Sequence, residues 1–246
     1  MRPIRSLTLA AMVALSLAAC GSETVDPAKQ QDAVAKVAAP QGSSWSQTIT
    51  QTDDGGFVMG NPDAPITLVE YGSLTCSHCA DFSTSSTDEL SKNFVDTGQV
   101  AFEFRNYLLN PQVDALAATI ITCAGKDRYY PLTENLFANQ GELYGHLQAM
   151  GTPPEIGNLP DNQKFVVMAK AMGLDKFFGA RGVSEDEITQ CLSDPAKVQA
   201  VADRSQKGGE QYNITGTPTF VLNGSVVDEG NTWPLIRERL RTAGAR

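Results

Sequence analysis

Two short blocks constrain this chain more than anything else in it. The apolar run at residues 66–71 (ITLVEY) is followed almost at once by Cys76-Ser77-His78-Cys79, and Gly216-Thr217-Pro218-Thr219-Phe220 opens a second short strand pattern. A Cys-x-x-Cys at a strand-to-helix junction places its first sulfur on a helix N-terminus, where unpaired N–H groups and the macrodipole favour a thiolate. The pattern points to thiol–disulfide chemistry, with Cys76 as the expected nucleophile and Cys79 as its leaving or resolving partner.

The rest of the composition narrows the setting. At 246 residues and 41% hydrophobic content, the chain can bury a substantial core without a metal. A formal charge of −9 leaves no basic surface for nucleic acid. The basic start Met1-Arg2-Pro3-Ile4-Arg5 and the apolar run at residues 7–19 predict an export signal over residues 1–19, too short to span a bilayer. Leu17-Ala18-Ala19-Cys20 resembles the lipobox of bacterial lipoproteins, in which Cys20 would be lipidated and anchor the protein to a membrane. An ordinary signal peptide cut near a cysteine is the plainer alternative. Loss of Arg2 and Arg5 with the signal would take the charge from −9 to −11. The resemblance implies a periplasmic, membrane-anchored lipoprotein. Gly21 after the cysteine favours the outer membrane over the inner.

Residues 20–44 are polar and rich in Ala, Gln and Ser, which predicts a flexible tether. Asp26-Pro27 could cap one weak helix through Ala38. Fully extended, the tether would reach about 80 Å. The domain proper is placed at residues 45–246. Residues 45–52 and 57–59 flank Asp53-Asp54-Gly55-Gly56 and read as a small hairpin; a helix over 80–94 and a strand over 100–105 follow the cysteine pair. Residues 112–211 read as helical, with Pro111 at the start, a capping box at Ser184 and Glu187, and a further helix start at Asp194-Pro195. Strands resume at residues 219–222, turn at Asn223-Gly224 and continue through Val226 and Val227; Asn231 or Thr232 caps a last helix ending near Leu240.

On residues 60–82 (GNPDAPITLVEYGSLTCSHCADF) and 212–224 (YNITGTPTFVLNG), the chain resembles the DsbA-like branch of the thioredoxin superfamily, from about Phe57 to the C-terminus. The resemblance implies an α/β thioredoxin-like fold with an inserted helical domain forming one wall of a groove beside Cys76. It implies a cis bond before Pro218, packed opposite Cys76, with the Thr217 backbone free to pair with an extended substrate segment. Glu70 matches the position of the family's buried acid, suited to exchanging a proton with Cys79. A glutamate exposed at an edge or paired with Arg105 is the alternative for Glu70. Some relatives carry a second, non-catalytic disulfide in the helical domain, which here would be Cys123–Cys191; two buried free thiols are the alternative. Ser77 departs from the proline of the best-known oxidases, which bears on the redox potential.

His78, between the two sulfurs, is expected to donate toward the Cys76 thiolate, or else to be a spectator at an exposed helix start. A structural zinc needs four ligands, and Cys123, Cys191 and His146 are isolated in sequence. Cu(I) needs fewer, so a copper-binding module on Cys76 and Cys79 stands as a rival. The leading expectation is an enzyme with no cofactor beyond its redox-active disulfide, oxidising reduced exported proteins and reoxidised by a DsbB-like membrane quinone reductase. A reductase or isomerase of the same fold is the nearest alternative.

Overall fold

The computed structural model describes residues 31–246. The expected export signal and Cys20 lie outside the described residues. A 3₁₀ turn at Trp45–Gln47 leads into the hairpin β1 (Ile49–Gln51) and β2 (Phe57–Met59). β3 (Ile66–Gly72) then runs to the cysteine pair, and α1 (Ser77–Leu90), continued by a π turn at Ser91–Val95, crosses back to β4 (Val100–Asn106). Helices α2 (Pro111–Cys123), α3 (Lys126–Ala138), α4 (Gln140–Met150), α5 (Asp161–Ala171), α6 (Leu174–Gly179), α7 (Glu185–Leu192) and α8 (Pro195–Tyr212) follow. The chain closes with β5 (Thr219–Leu222), β6 (Ser225–Val226) and α9 (Trp233–Thr242).

The sheet order is β1-β2-β4-β3-β5-β6. β3 is central: it pairs in parallel with β4, from Ile66↔Val100 to Gly72↔Asn106, and antiparallel with β5. A parallel pair needs a crossover, and α1 supplies it. The β5–β6 turn holds Asn223 at φ 48° and Gly224 at φ 82°, the left-handed pair a two-residue hairpin demands. Ile66, Leu68 and Glu70 share one buried face, against which α1 packs: Phe82 lies 4.4 Å from Phe220 between ring centroids. Glu89 of α1 accepts from Trp233 Nε1 at 2.8 Å and pairs with Arg237 at 3.1 Å, docking α9 on the same side.

The helical insertion runs from Pro111 to Tyr212, with the capping box at Ser184 and Glu187 formed and Asp194 capping α8 through the N–H of Ala196. Residues 151–160 interrupt it, where Gly151 adopts φ 63° and Pro153-Pro154 cannot continue a helix. Cys123 at the end of α2 is bonded to Cys191 of α7, with Cα atoms 6.1 Å apart. The two-free-thiol alternative is thereby set aside.

The tether expectation needs correction over its described part. Residues 31–38 form no helix; they lie along the domain. Gln31 donates to Thr242 O, Val34 to Gly244 O and Val37 to Thr97 O, each at 2.9 Å, while Trp45 Nε1 donates to Val37 O at 2.7 Å. Val34 also packs against the core. The isolated-helix reading fails because these backbone groups find partners on the domain instead.

Candidate active site

Cys76 caps α1 with extended backbone (φ −87°, ψ 123°), and the helix begins at Ser77, three residues earlier than the sequence suggested. Both cysteines are free thiols; Cys79 is wholly buried and Cys76 is 8% exposed. The Cys76 thiol donates to Thr217 O at 3.3 Å, bringing the two sequence blocks together across 141 residues. The Thr217–Pro218 bond is cis, as expected.

The two sulfurs are driven apart in acidity. The Cys76 pKa falls to about 5: the Cys79 thiol donates to it, and the Thr217 side chain and the backbone N–H groups of Cys79 and His78 add to this against the cost of burial. Burial pushes Cys79 far up, reinforced by its bond to Cys76 and by the negative charges of Glu70 and Cys76. One sulfur is thus a thiolate at neutral pH and the other a firmly held thiol.

Glu70 is 2% exposed, and its Oε1 lacks a hydrogen-bond partner. Burial, then Cys76, raises its pKa well above the carboxylate range. The alternative pairing with Arg105 is not made, because Arg105 is held by Glu103 at 2.8 Å, Asp54 at 3.1 Å and the Tyr71 hydroxyl at 2.9 Å. Gly72, two residues on, leaves room for this carboxyl: a Cβ there would lie 3.0 Å from Glu70 Oε1 and 2.5 Å from the Phe104 ring.

The expectation for His78 is corrected. Its side chain is 77% exposed, with Nδ1 3.9 Å from Asp81, and it is the backbone N–H of His78 that reaches Cys76. The first amides of a helix have no partner within it, which leaves the His78 N–H free for the cap residue while the His78 ring faces solvent.

Sequence reasoning missed the residues that hold the turn in front of Cys76. Asp114, 1% exposed on α2, accepts from the backbone N–H of Thr75 at 3.0 Å and of Asn110 at 2.8 Å, and from the hydroxyls of Ser73 at 2.8 Å and Thr75 at 3.2 Å. Gln140 Nε2 donates to Leu74 O at 2.9 Å and Cys76 O at 3.0 Å, and the Tyr144 hydroxyl donates to Thr75 O. Asp114 had a signal: it is the single charge in the apolar run VDALAATII, as Glu70 is in ITLVEY. Gln140 and Tyr144 had none. An open groove of about 480 Å³ runs beside Thr217 and Pro218, bounded by residues 212–219 and part of 226–231. Among the described residues, no three His, Cys, Asp or Glu side chains gather as metal ligands.

Comparisons with known proteins agree with this geometry. A family model described as thioredoxin matches residues 52–241. The chain is 28% identical over 187 residues to disulfide bond formation protein D of Bacillus subtilis, covering 74% of each. It is 24% identical over 217 residues to a putative protein-disulfide oxidoreductase of Rickettsia conorii, covering 85% of this chain and 70% of that one. The crystal structure of a protein-disulfide isomerase from Novosphingobium aromaticivorans superposes with a TM-score of 0.67 at 29% identity, over 76% of this chain and 98% of that one. Wolbachia pipientis alpha-DsbA1 shares the fold, with a TM-score of 0.59 at 19% identity, over 76% and 91%. A buried dithiol of split acidity, set against a cis-proline loop and walled by inserted helices, makes the molecule a thiol–disulfide oxidoreductase of the DsbA kind. The chain belongs to the thioredoxin family, whose model it matches over most of its length.

Proposed function

We propose that this protein donates the Cys76–Cys79 disulfide to reduced proteins exported from the cell. The observation that carries the direction is the split acidity. A thiolate with its pKa near 5, favoured by donors from Cys79, Thr217 and two backbone amides, stabilises the reduced form, so the disulfide is a strong acceptor of electrons. A substrate thiolate attacks Cys76 Sγ, a mixed disulfide forms, and Cys79 leaves; a second substrate thiolate displaces Cys76 and the substrate disulfide closes. The departing Cys79 needs a proton, and Glu70, kept protonated by burial, is suited to give it. The open backbone beside Thr217 and Pro218 suits an extended peptide whose main chain, and not its side chains, is recognised.

The motif at Cys20 supports a lipid anchor, and with it a place in the cell envelope, the outer membrane being favoured by Gly21. Repeated turnover calls for a membrane quinone reductase of DsbB type to reoxidise the dithiol. A dithiol peptide mixed with one equivalent of the oxidised protein tests the direction. Rapid transfer of the disulfide to the peptide supports donation, and an equilibrium left with the peptide reduced refutes it.

One observation favours a second reading. The Novosphingobium structure, 29% identical over nearly all of that chain, bears the name isomerase. Recovery of activity from a scrambled disulfide protein, at catalytic amounts and in glutathione buffer, would move the assignment there.

A further inference from the structure

At the edge of the sheet opposite the Thr217–Pro218 loop lies a second open groove, of about 560 Å³. Its walls are the last turns of α2, α7 and one face of α8, and the Cys123–Cys191 bond ties the first two together. Gln51 borders it from β1, the outermost strand at this end of the sheet. The N–H of Thr52 donates to Gly56 O and that of Gly60 to Thr48 O, so residues 48, 50 and 52 face β2 in this antiparallel pair and the main-chain groups of Ile49 and Gln51 point away from it. Those groups find no partner among the described residues, which leaves an open strand edge. The charge of the groove differs from that of the acidic molecule around it. Lys197 and Arg204 stand seven residues apart on α8, on one line of the helix and about 10 Å from each other, with Ala200 and Val201 between them. Neither has an ion-pair partner among the described residues, whereas Arg105, Lys207 and Arg128 nearby are taken by Glu103, Asp54 and Glu187. Glu187, the one acid lining this groove, is thus held by Arg128 and by the Ser184 cap. Beyond Arg204, Asp53, Asp54 and Asp203 mark where the positive stretch ends. Arg204 is also fixed in place: a Cβ on Gly55, which has φ 74°, would lie 2.3 Å from its Cδ and 2.6 Å from its Cζ, so the guanidinium group rests on the bare backbone of the β1–β2 turn. A planar cation already ordered loses little freedom on taking a carboxylate.

We propose that this groove docks an extended acidic segment of a partner protein, its main chain paired with the β1 edge and two of its carboxylates on Lys197 and Arg204. Side chains on one face of an extended chain recur about every 7 Å, so carboxylates two or four residues apart fall within reach of the two cations, the long Lys197 side chain taking up the difference. Thr119, Thr122 and Gln190 offer hydroxyl and amide groups to the other polar atoms of such a segment. The pairing is strand addition, in which main-chain hydrogen bonds give affinity and side-chain contacts select the sequence; here the selection is for negative charge. β1 lies three strands from β3, about 14 Å across the sheet, so a partner held there leaves Cys76 and the Thr217–Pro218 loop free. A protein tethered at one edge then presents its cysteines to the site at a raised local concentration. The inference stands apart from the direction of disulfide transfer, since binding in this groove involves neither Cys76 nor Cys79.

The probe is a nine-residue peptide alternating glutamate with threonine, free of cysteine and carrying a neutral dye. Its binding to the full-length oxidised protein is read by fluorescence anisotropy, beside the same peptide with glutamine for glutamate. The glutamate peptide should bind about tenfold tighter than the glutamine one, and its affinity should fall as salt is raised. Lys197→Gln and Arg204→Gln should each weaken it about fivefold, Arg204→Lys less than Arg204→Gln, and Lys197→Glu combined with Arg204→Glu should abolish it. All of these variants should exchange thiols with glutathione at the wild-type rate. Wild-type affinity in the charge-reversed protein would overturn the docking site, as would equal binding of the two peptides, which marks the sequence-tolerant groove beside Thr217 and Pro218 as the place of binding. Absence of binding to the wild-type protein would overturn it as well. Lys197 is exposed, so Lys197→Gln carries the test if an Arg204 variant fails to fold.

Discussion

At the residue scale, the site is a division of labour between two sulfurs three residues apart in sequence and hydrogen-bonded to each other. Cys76→Ser should abolish exchange, while Cys79→Ser should keep the first attack and accumulate mixed disulfides detectable on a non-reducing gel. Ultraviolet thiolate absorbance of the reduced protein should titrate with a midpoint near 5, and His78→Ala should leave that midpoint in place, because the backbone N–H does the work. Folding lowers this pKa from a free-thiol value of about 8.5. The reduced fold therefore gains stability relative to the oxidised form as pH rises from about 5 to about 8.5, and loses it again as pH falls through 5. Glu70 is present in both redox forms and largely cancels from that difference. Chemical denaturation of both forms at several pH values checks the sign. Cys76, Cys79, Glu70, Thr217 and Pro218 were all legible in the sequence, because each is an unusual residue in a patterned stretch. The aim of the His78 ring was not, since the composition of a helix's first turn does not say which way its side chains leave.

At the element scale, the nucleophile depends on a turn that its own residues do not hold. Asp114, 39 residues after Thr75 and on α2, gathers two backbone amides and two hydroxyls around the turn that ends in Cys76. Asp114→Ala leaves those donors buried and unpaired, and should destabilise the fold by about 2–3 kcal/mol and raise the thiolate midpoint as the turn loosens. A shift in urea midpoint together with the thiolate titration reads both effects. Gly72→Ala should cost about 1–3 kcal/mol by overpacking, since its Cβ meets the rigid ring of Phe104 at 2.5 Å. The order of strands and helices could be read from periodicity and punctuation, and the insertion at 111–212 falls within a residue of the range expected. The hydrogen bonds from Gln140 and Tyr144 could not, because polar residues on an exposed-looking helix give no hint of which loop they will meet.

At the scale of the whole molecule, the inserted helices are tied together away from the chemistry. The Cys123–Cys191 bond spans 68 residues and joins α2 to α7. In the loop-entropy model such a closure stabilises by about 4 kcal/mol. Cys123→Ala with Cys191→Ala should lower the thermal midpoint while leaving exchange at Cys76 and Cys79 intact; a folded but inactive double variant would contradict a purely structural bond. The N-terminal strip was misread as tether because short polar stretches look alike whether or not a neighbouring surface offers partners. Here Thr97, Thr242 and Gly244 offer them.

The central claim is that the stabilised Cys76 thiolate makes this couple an electron acceptor. The most direct measurement is the equilibrium reduction potential of the Cys76/Cys79 pair against glutathione, in the soluble domain lacking residues 1–20. A value toward the roughly −120 mV of strongly oxidising members of this fold is expected, and a value near the roughly −270 mV of thioredoxin would contradict disulfide donation.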